Sequence, residues 1–208
     1  MNVITIPTGT MQANCYIVET ENSAVIIDPG FLERDIEKYI AENPDKVKYI
    51  LLTHRHFDHL NGAVKIRNLT GAKIVINELD EGGLYSDMLS LSSMVGGIYG
   101  KADPDAHADI HVSEGDTVTV GDMVFTVMET PGHTEGGVCY VCDNVIFSGD
   151  TLFKGSIGRT DFPSSSNSDM RKSLDRLCLL PDNMLVYPGH GPMTTIGEEK
   201  RSNMFLKR

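Results

Sequence analysis

After the apolar run at residues 47–52, the chain continues as His54-Arg55-His56-Phe57-Asp58-His59. Neutral imidazole and carboxylate are good ligands for zinc and similar divalent ions. From a turn, His54 and His56 can converge on one ion, and Asp58 and His59 can address a second ion nearby. A metal centre is therefore favoured over a solvated histidine-rich loop.

Three further candidate ligands each follow an apolar, strand-like run: His133 after Pro131-Gly132, Asp150 after Gly149, and His190 after Gly189. Open α/β sheets place ligand sites at the carboxyl ends of their strands, so these groups are expected to meet the first cluster. Two ions that share a carboxylate and a water need about seven donors. The candidate set is His54, His56, Asp58, His59, His133, Asp150 and His190.

The residues on either side of these motifs predict an α/β fold, because strand-like runs alternate with segments of helical period. Predicted strands cover residues 3–6, 15–18, 24–27, 47–52, 73–76, 138–141, 145–147 and 184–187, with a hairpin over 117–127 around Gly121-Asp122. Predicted helices cover residues 32–42, 60–70 and 168–180, with a short polar helix in 197–208. No linker divides the chain, so one domain over residues 1–208 is expected.

Residues 80–108 are rich in Gly, Ser, Met and Asp and have no sustained period, which predicts short helical turns and loop. Long irregular segments in compact domains are often covers for a site. A cover over the metal centre and a tolerated surface insertion are equal alternatives here.

The composition limits the partners that the protein can have. The chain of 208 residues has 18 Lys plus Arg against 29 Asp plus Glu, a formal net charge of −11. Such a chain repels nucleic acid and anionic membranes. No apolar run is long enough to span a bilayer, and no leader pattern opens the chain. We expect a cytoplasmic protein without nucleic-acid or membrane partners, and its oligomeric state stays open.

The cysteines and the remaining histidines are not expected to join the metal centre. Cys139 and Cys142 form a Cys-x-x-Cys motif, but it lies on a predicted strand, where positions three apart face opposite sides. Free thiols are expected. His107 and His111 lack partner spacing and are predicted at the surface. Arg55 faces either substrate or solvent.

The order of the ligand motifs resembles that of the metallo-β-lactamase superfamily of metallohydrolases, over the range 28–190. The resemblance implies a four-layer αββα sandwich, two mixed β-sheets with helices outside. It assigns to one ion His54, His56 and His133. It assigns to the other Asp58, His59 and His190, with Asp150 bridging. It also implies that Asp28, in a turn, supports the site from behind the ligands.

Residues 149–153 and the stretch Gly158-Arg159-Thr160-Asp161-Phe162 resemble the glyoxalase II (hydroxyacylglutathione hydrolase) group and its short bacterial relatives. This implies a dinuclear hydrolase of small-molecule thioesters such as S-acyl-glutathione. The chain stops soon after His190, before the helical domain that carries part of the glutathione site in full-length members, so the thiol carrier stays open. The alternative is a mononuclear iron enzyme similar to persulfide dioxygenases, which share the stretch at 158–162.

The implied chemistry uses a hydroxide between two divalent ions, since a bound ion can lower the pKa of water to about 7. This hydroxide attacks the acyl carbon, Asp58 orients it as a catalytic residue, and a thiol with a pKa of about 8.5 leaves as thiolate. Arg159 can hold a substrate carboxylate with two hydrogen bonds, or instead pair with Asp161. Lys154 is a weaker substrate-binding candidate. Zinc is the expected metal, with iron and manganese as alternatives.

Overall fold

The computed structural model describes residues 1–96 and 102–207. The first sheet is mixed: its first two strand pairings are antiparallel and its last three are parallel. Its strands lie in chain order, β1 (Asn2–Thr8), β2 (Ala13–Glu19), β3 (Ala24–Ile27), β4 (Val47–Leu51), β5 (Lys73–Ile76) and β6 (Ile110–His111). Its connections contain α1 (Arg34–Glu42), α2 (Phe57–Leu60) and α3 (Ala63–Thr70).

The second half of the chain forms another mixed sheet. The strands of this sheet are β7 (Thr117–Val120), β8 (Met123–Glu129), β9 (Val138–Cys142), β10 (Val145–Gly149), β13 (Leu185–Pro188) and β14 (Thr194–Thr195). The same half of the chain also contains a separate small hairpin, β11 (Leu152–Phe153) and β12 (Ser156–Ile157), and the helices α4 (Asn167–Leu177) and α5 (Ile196–Ser202). The spatial order is β14-β13-β10-β9-β8-β7. Strands β8, β10 and β13 run in the same direction, so their carboxyl ends lie at one edge.

The two sheets pack face to face, and each has helices on its outer side. In β3, Val25 and Ile27 belong to the apolar cluster between the sheets, whereas Ala24 and Ile26 pack towards α1 and α3. All four residues of this strand are buried because both faces of the sheet are covered. A third cluster lies between the second sheet and α4 with α5. The expected αββα sandwich is confirmed.

The predicted hairpin over 117–127 is confirmed, with Val120 paired to Met123 across a two-residue turn. Gly121 has a φ of 58°, a left-handed conformation that glycine adopts without strain. The helix predicted over 60–70 is confirmed for Ala63–Thr70 and for its end at Gly71, but it starts later than expected, since the chain breaks between α2 and α3. The break occurs at Gly62, whose N–H donates to the carbonyl of Pro29 at 2.8 Å. A Cβ at this position would lie 2.5 Å from that oxygen.

Strands β6, β11, β12 and β14 were not predicted, because two residues cannot show a periodic pattern. The irregular segment contains two short 3-10 helical turns, Glu78–Gly83 and Ser92–Val95, as expected from its composition. The part of that prediction at residues 97–101 lies outside the described residues.

Cys139 and Cys142 face opposite sides of β9, as predicted. The first packs in the cluster under α4 and the second between the sheets, and both are free thiols. His107 and His111 are exposed. Among the residues that the structure describes, no helix has the length and apolar character that a membrane span requires.

Candidate metal centre

The structure brings the seven predicted donors together where four strands end. The segment 54–59 follows β4, and the other three donors follow strands of the second sheet: His133 after β8, Asp150 after β10, and His190 after β13. Six of the donors form two adjacent sets of three, and within each set the ligand atoms lie within 4.8 Å of one another. Asp28, His54 and His59 form a third such set. We call His54, His56 and His133 the histidine group, and Asp58, His59 and His190 the mixed group.

The histidine group consists of three buried rings from two loops. The Nδ1 atom of His56 lies 2.8 Å from Nε2 of His133. The Nδ1–H of His133 donates to the carbonyl oxygen of Arg159 at 2.8 Å, which leaves a lone pair on Nε2 facing its neighbours. Ring nitrogens that converge with free lone pairs are arranged as ligands for a cation.

The mixed group combines a carboxylate with two rings. The Nε2 atom of His190 lies 3.3 Å from Oδ2 of Asp58 and 3.3 Å from Nε2 of His59. His59 is fully buried, whereas the side chain of His190 is 26% exposed. The mixed group therefore has an open side and the negative charge that the histidine group lacks.

Asp150 lies between the two groups. Its Oδ2 is 3.4 Å from Nε2 of His133 in the histidine group, and its Oδ1 is 3.4 Å from Nε2 of His59 in the mixed group. Its carboxylate therefore contacts one ring nitrogen in each group. The backbone must pass close by, since a Cβ at Gly189 would lie 2.1 Å from Oδ1 of Asp150.

Asp28 orients one ring of each group, His59 by a direct hydrogen bond and His54 through the hydroxyl of Thr53. Its Oδ2 accepts a hydrogen bond from Nδ1 of His59 at 3.1 Å and from the hydroxyl of Thr53 at 2.6 Å. Because the Thr53 proton goes to Asp28, the hydroxyl oxygen is free to accept from Nδ1 of His54, 3.0 Å away. Both rings thus present Nε2 to the centre. Partners of this kind fix the tautomer of a metal-binding histidine.

Burial and neighbouring histidines lower the pKa values of two rings in the histidine group. Desolvation is the largest cause for both His54 and His56, followed by His59 for the first and His133 for the second. These rings are therefore neutral at neutral pH, the form that binds metal.

The carboxylates have the opposite effect in the mixed group. Burial opposes the charged form of His59, but the carboxylates of Asp150, Asp58 and Asp28 outweigh it and raise its pKa to about 10. Burial likewise opposes a charge on His190, and the contact with Asp58 raises its pKa. The pKa of Asp58 is held well below its usual range, against burial, by His59 and His190. Without an ion, this group retains protons that a metal must displace.

Two buried atoms test whether a metal fits these residues. Among the described residues, Nε2 of His54 and Oδ1 of Asp150 are buried side-chain atoms without a hydrogen-bond partner. An unpaired buried polar atom costs about 1–3 kcal/mol. Both atoms belong to the donor set and face its interior, so divalent ions would satisfy them. The residues fit the metal ions that the motif implies.

A cleft of about 480 Å³ opens above the centre, with five of the donors at its base. Its walls are mostly apolar, and they include Met11, Leu91, Met94, Val95, Phe153 and Phe162. Three of these wall residues, at positions 91, 94 and 95, come from the irregular segment, which therefore borders the site. Sequence reasoning did not single out the wall residues, because no spacing distinguishes them from other apolar side chains.

The two predicted substrate-binding cations lie in different places. Arg159 lines the cleft, but it also forms two hydrogen bonds to Asp161, at 2.8 and 2.9 Å, and its guanidinium lies 4.2 Å from the ring centre of Phe162. The salt bridge considered as the alternative is thus present. Lys154 lies exposed on the turn between β11 and β12, and the cleft-lining residues of the described chain do not include it.

Sequence reasoning missed several residues that hold the loops. Arg55 faces neither substrate nor solvent, since its side chain is 6% exposed and its guanidinium lies 3.5 Å from the buried carboxylate of Asp80. The side-chain amide of Asn14 donates to the carbonyls of Pro188 and Gly191, on either side of His190. No sequence pattern marks such contacts between distant segments.

Comparison with known proteins agrees with the fold. The model of the metallo-beta-lactamase superfamily matches residues 8–190. The chain belongs to this superfamily. Its donor groups imply divalent metal ions, and the protein is a metal-dependent hydrolase by family.

Two curated relatives match along nearly their whole length. A "Probable metallo-hydrolase YqgX" of Bacillus subtilis is 35% identical, with 96% of this chain and 95% of the relative covered. A "Hydroxyacylglutathione hydrolase GloC" of Haemophilus influenzae is 34% identical, with 99% and 98% covered.

Solved structures are similar over the same extent. BLEG-1, a B3 metallo-beta-lactamase, superposes with a TM-score of 0.92 at 33% identity, with 100% of both chains covered. TTHA1623 in a di-iron-bound form has a TM-score of 0.84 at 34% identity, with 98% and 100% covered. ETHE1 from Myxococcus xanthus has a TM-score of 0.79 at 31% identity, with 98% and 84% covered.

Proposed function

We propose that the protein hydrolyses small-molecule thioesters, such as S-acyl-glutathione, with two divalent ions. His54, His56 and His133 would hold one ion, and Asp58, His59 and His190 the other. The observation that carries the proposal is the position of Asp150, within 3.4 Å of a ring nitrogen in each group. The relative named hydroxyacylglutathione hydrolase supports the substrate class.

When bound, the ions would activate water at neutral pH and polarise the acyl oxygen of the substrate. The chain contributes the orientation of the reactants. Asp58 lies at the base of the cleft, and its low pKa keeps it a carboxylate that accepts a hydrogen bond from the attacking water. A leaving thiol has a pKa of about 8.5 and departs as thiolate, so a separate general acid is not required.

The apolar cleft and Arg159 would hold the rest of the substrate. Apolar walls exclude water from the reacting carbonyl and strengthen the electrostatic contacts there. Arg159 would take a substrate carboxylate in exchange for, or in addition to, Asp161. Lys154 would act at most from outside the cleft. We propose no nucleic-acid or membrane partner and a cytoplasmic location, in line with the net charge of −11.

The test is hydrolysis of S-lactoylglutathione by the purified protein, with and without a chelator. We expect hydrolysis that the chelator abolishes and that added zinc restores. Iron and manganese are tested in parallel, because histidine and carboxylate donors accept all three metals. A metal-loaded protein that hydrolyses neither this thioester nor a neutral one contradicts the proposal.

The second candidate is a mononuclear iron enzyme that oxidises a thiol persulfide. It is favoured by the similarity to ETHE1 from Myxococcus xanthus and by the stretch at residues 158–162. One iron per chain, oxygen uptake with a persulfide and no thioester hydrolysis would establish this candidate. Two ions per chain and no oxygen uptake would exclude it.

A further inference from the structure

Asp80 is a buried carboxylate outside the donor set that contacts both loops of the histidine group. It lies in the 3-10 turn Glu78–Gly83 and is completely buried. Its Oδ2 accepts from the backbone N–H of Arg55 at 3.1 Å, on the loop of His54 and His56. The same oxygen accepts from the hydroxyl of Thr134 at 2.6 Å, next to His133.

The other oxygen of Asp80 makes further contacts to the same two loops. Oδ1 accepts from the backbone N–H of Gly136 at 3.1 Å and lies 3.5 Å from Nη1 of Arg55. The guanidinium of Arg55 also donates to the carbonyl of Leu79. One carboxylate thus satisfies three hydrogen-bond donors and, together with Glu135 at 3.7 Å from the same nitrogen, pairs with the buried Arg55 cation. A buried network in which every member has a partner gives a rigid arrangement.

We infer that Asp80 is a positioning residue that sets the distance between the loops of His56 and His133 and so forms the ion site of the histidine group. This inference rests on the proposed metal centre, but it concerns metal binding and not the substrate. The mixed group is held differently, since its rings are fixed by Asp28 and by the contacts of Asn14 around His190. Asp80 should therefore affect one ion and not the other.

The direct test is Asp80→Asn. An amide has one acceptor oxygen, and its NH₂ group faces an N–H donor in either orientation, so the backbone N–H of either Arg55 or Gly136 loses its acceptor. We expect the affinity for one of the two ions to fall about 10- to 100-fold, as for other residues that support ligands, while the other affinity stays within about threefold. The measurement is metal titration against a competing chelator. Thr134→Val, which removes only the hydroxyl contact, should give a smaller loss at the same ion.

The matched control is Glu199→Gln. Glu199 is also fully buried, and its two oxygens accept from Thr194, Gly155 and Asn203, none of which is a donor of the centre. The Glu199→Gln substitution should lower the melting temperature of the metal-free protein and leave both metal affinities unchanged. Unchanged affinities in Asp80→Asn, or equal losses at both ions, would overturn the inference.

A second control separates this inference from the metal centre itself. His133→Ala should remove one metal equivalent whatever Asp80 does. If His133→Ala still binds two ions with wild-type affinity, the ligand assignment fails. If His133→Ala loses one ion and Asp80→Asn loses none, only the role of Asp80 fails.

Discussion

The histidine group and the mixed group lie side by side, with Asp150 within 3.4 Å of a ring nitrogen in each, and they differ in charge. The histidine group is three buried rings held by uncharged partners, the Thr53 hydroxyl and the Arg159 carbonyl among them. The mixed group contains a carboxylate, and its His190 is partly open to the cleft. The pKa of His54 is lowered, while that of His59 is raised to about 10.

If each group holds one ion, as proposed, the two sites would depend on different physical terms. In the histidine group, affinity would depend on how accurately two loops bring neutral rings together. In the mixed group, it would depend on attraction between an ion and carboxylates, in competition with protons. Changes in geometry and changes in pH should therefore act on different ions.

Removal of a ligand should have the largest effect. His56→Ala takes one ring from the histidine group, and we expect metal content to fall from two ions to one. Loss of a residue behind a ligand costs about 10- to 100-fold, so loss of the ligand itself should reduce thioester hydrolysis by more than about 100-fold. His111→Ala is the matched control, because His111 is exposed and paired with Glu81 away from the donors. A His56→Ala variant that binds two ions and keeps its activity would show that His56 does not hold an ion.

The next effect is expected for Asp28→Asn, which acts on both groups at once. One oxygen of Asp28 accepts from the backbone N–H of Thr53, and the other accepts from the Thr53 hydroxyl and from Nδ1 of His59. The single oxygen of an amide cannot accept from all three donors. We expect both ion affinities to fall by about 10- to 100-fold, in contrast to the one-sided loss for Asp80→Asn. Chelator competition measures it, with the exposed Asp122→Asn as control. A loss confined to one ion would show that Asp28 serves one group only.

The pH dependence should differ between the two ions. Below its pKa of about 10, the His59 ring carries a second proton in the metal-free protein, and an ion must displace it from Nε2. The mixed-group affinity should therefore rise with pH by at least about tenfold per unit up to that value, since His190, whose pKa is also raised, releases a further proton. The histidine group, in which the pKa values of His54 and His56 are lowered, should show no such rise above pH 6.5. Metal titrations between pH 6.5 and about 10 measure the two slopes. Equal slopes would contradict the proposed difference in protonation between the two groups.

The smallest effect should come from the substrate side. Arg159→Gln leaves the backbone carbonyl that holds His133 in place, so metal content should stay at two ions. We expect a rise in KM for S-lactoylglutathione of about 3- to 10-fold, because an exposed arginine contact is weak and Asp161 competes for it. Lys154→Gln is the matched control and should change KM less. A fall in metal content would show that Arg159 acts on the histidine group instead.

The clustering of the seven candidate donors could be predicted from sequence because they follow strand ends and because chemistry limits their types. The sandwich followed from the alternation of elements together with the resemblance of the motifs. Buried strands such as β3 have apolar residues at every position, a pattern that is visible without a structure.

Residues that act through tertiary contact could not be predicted. Asp80 lies in an irregular segment, and its partners at Arg55 and Gly136 are 25 and 56 positions away. The break between α2 and α3 depends on contact between Gly62 and a distant turn. Such features arise from close packing between segments, which local periodicity does not record.

The most direct test of the dinuclear centre is the number of ions per chain, measured by elemental analysis after the protein is loaded with zinc and freed of excess metal. The two donor groups joined by Asp150 predict two ions in the wild-type protein and one in His56→Ala. A single ion in the fully loaded wild-type protein would contradict the dinuclear centre.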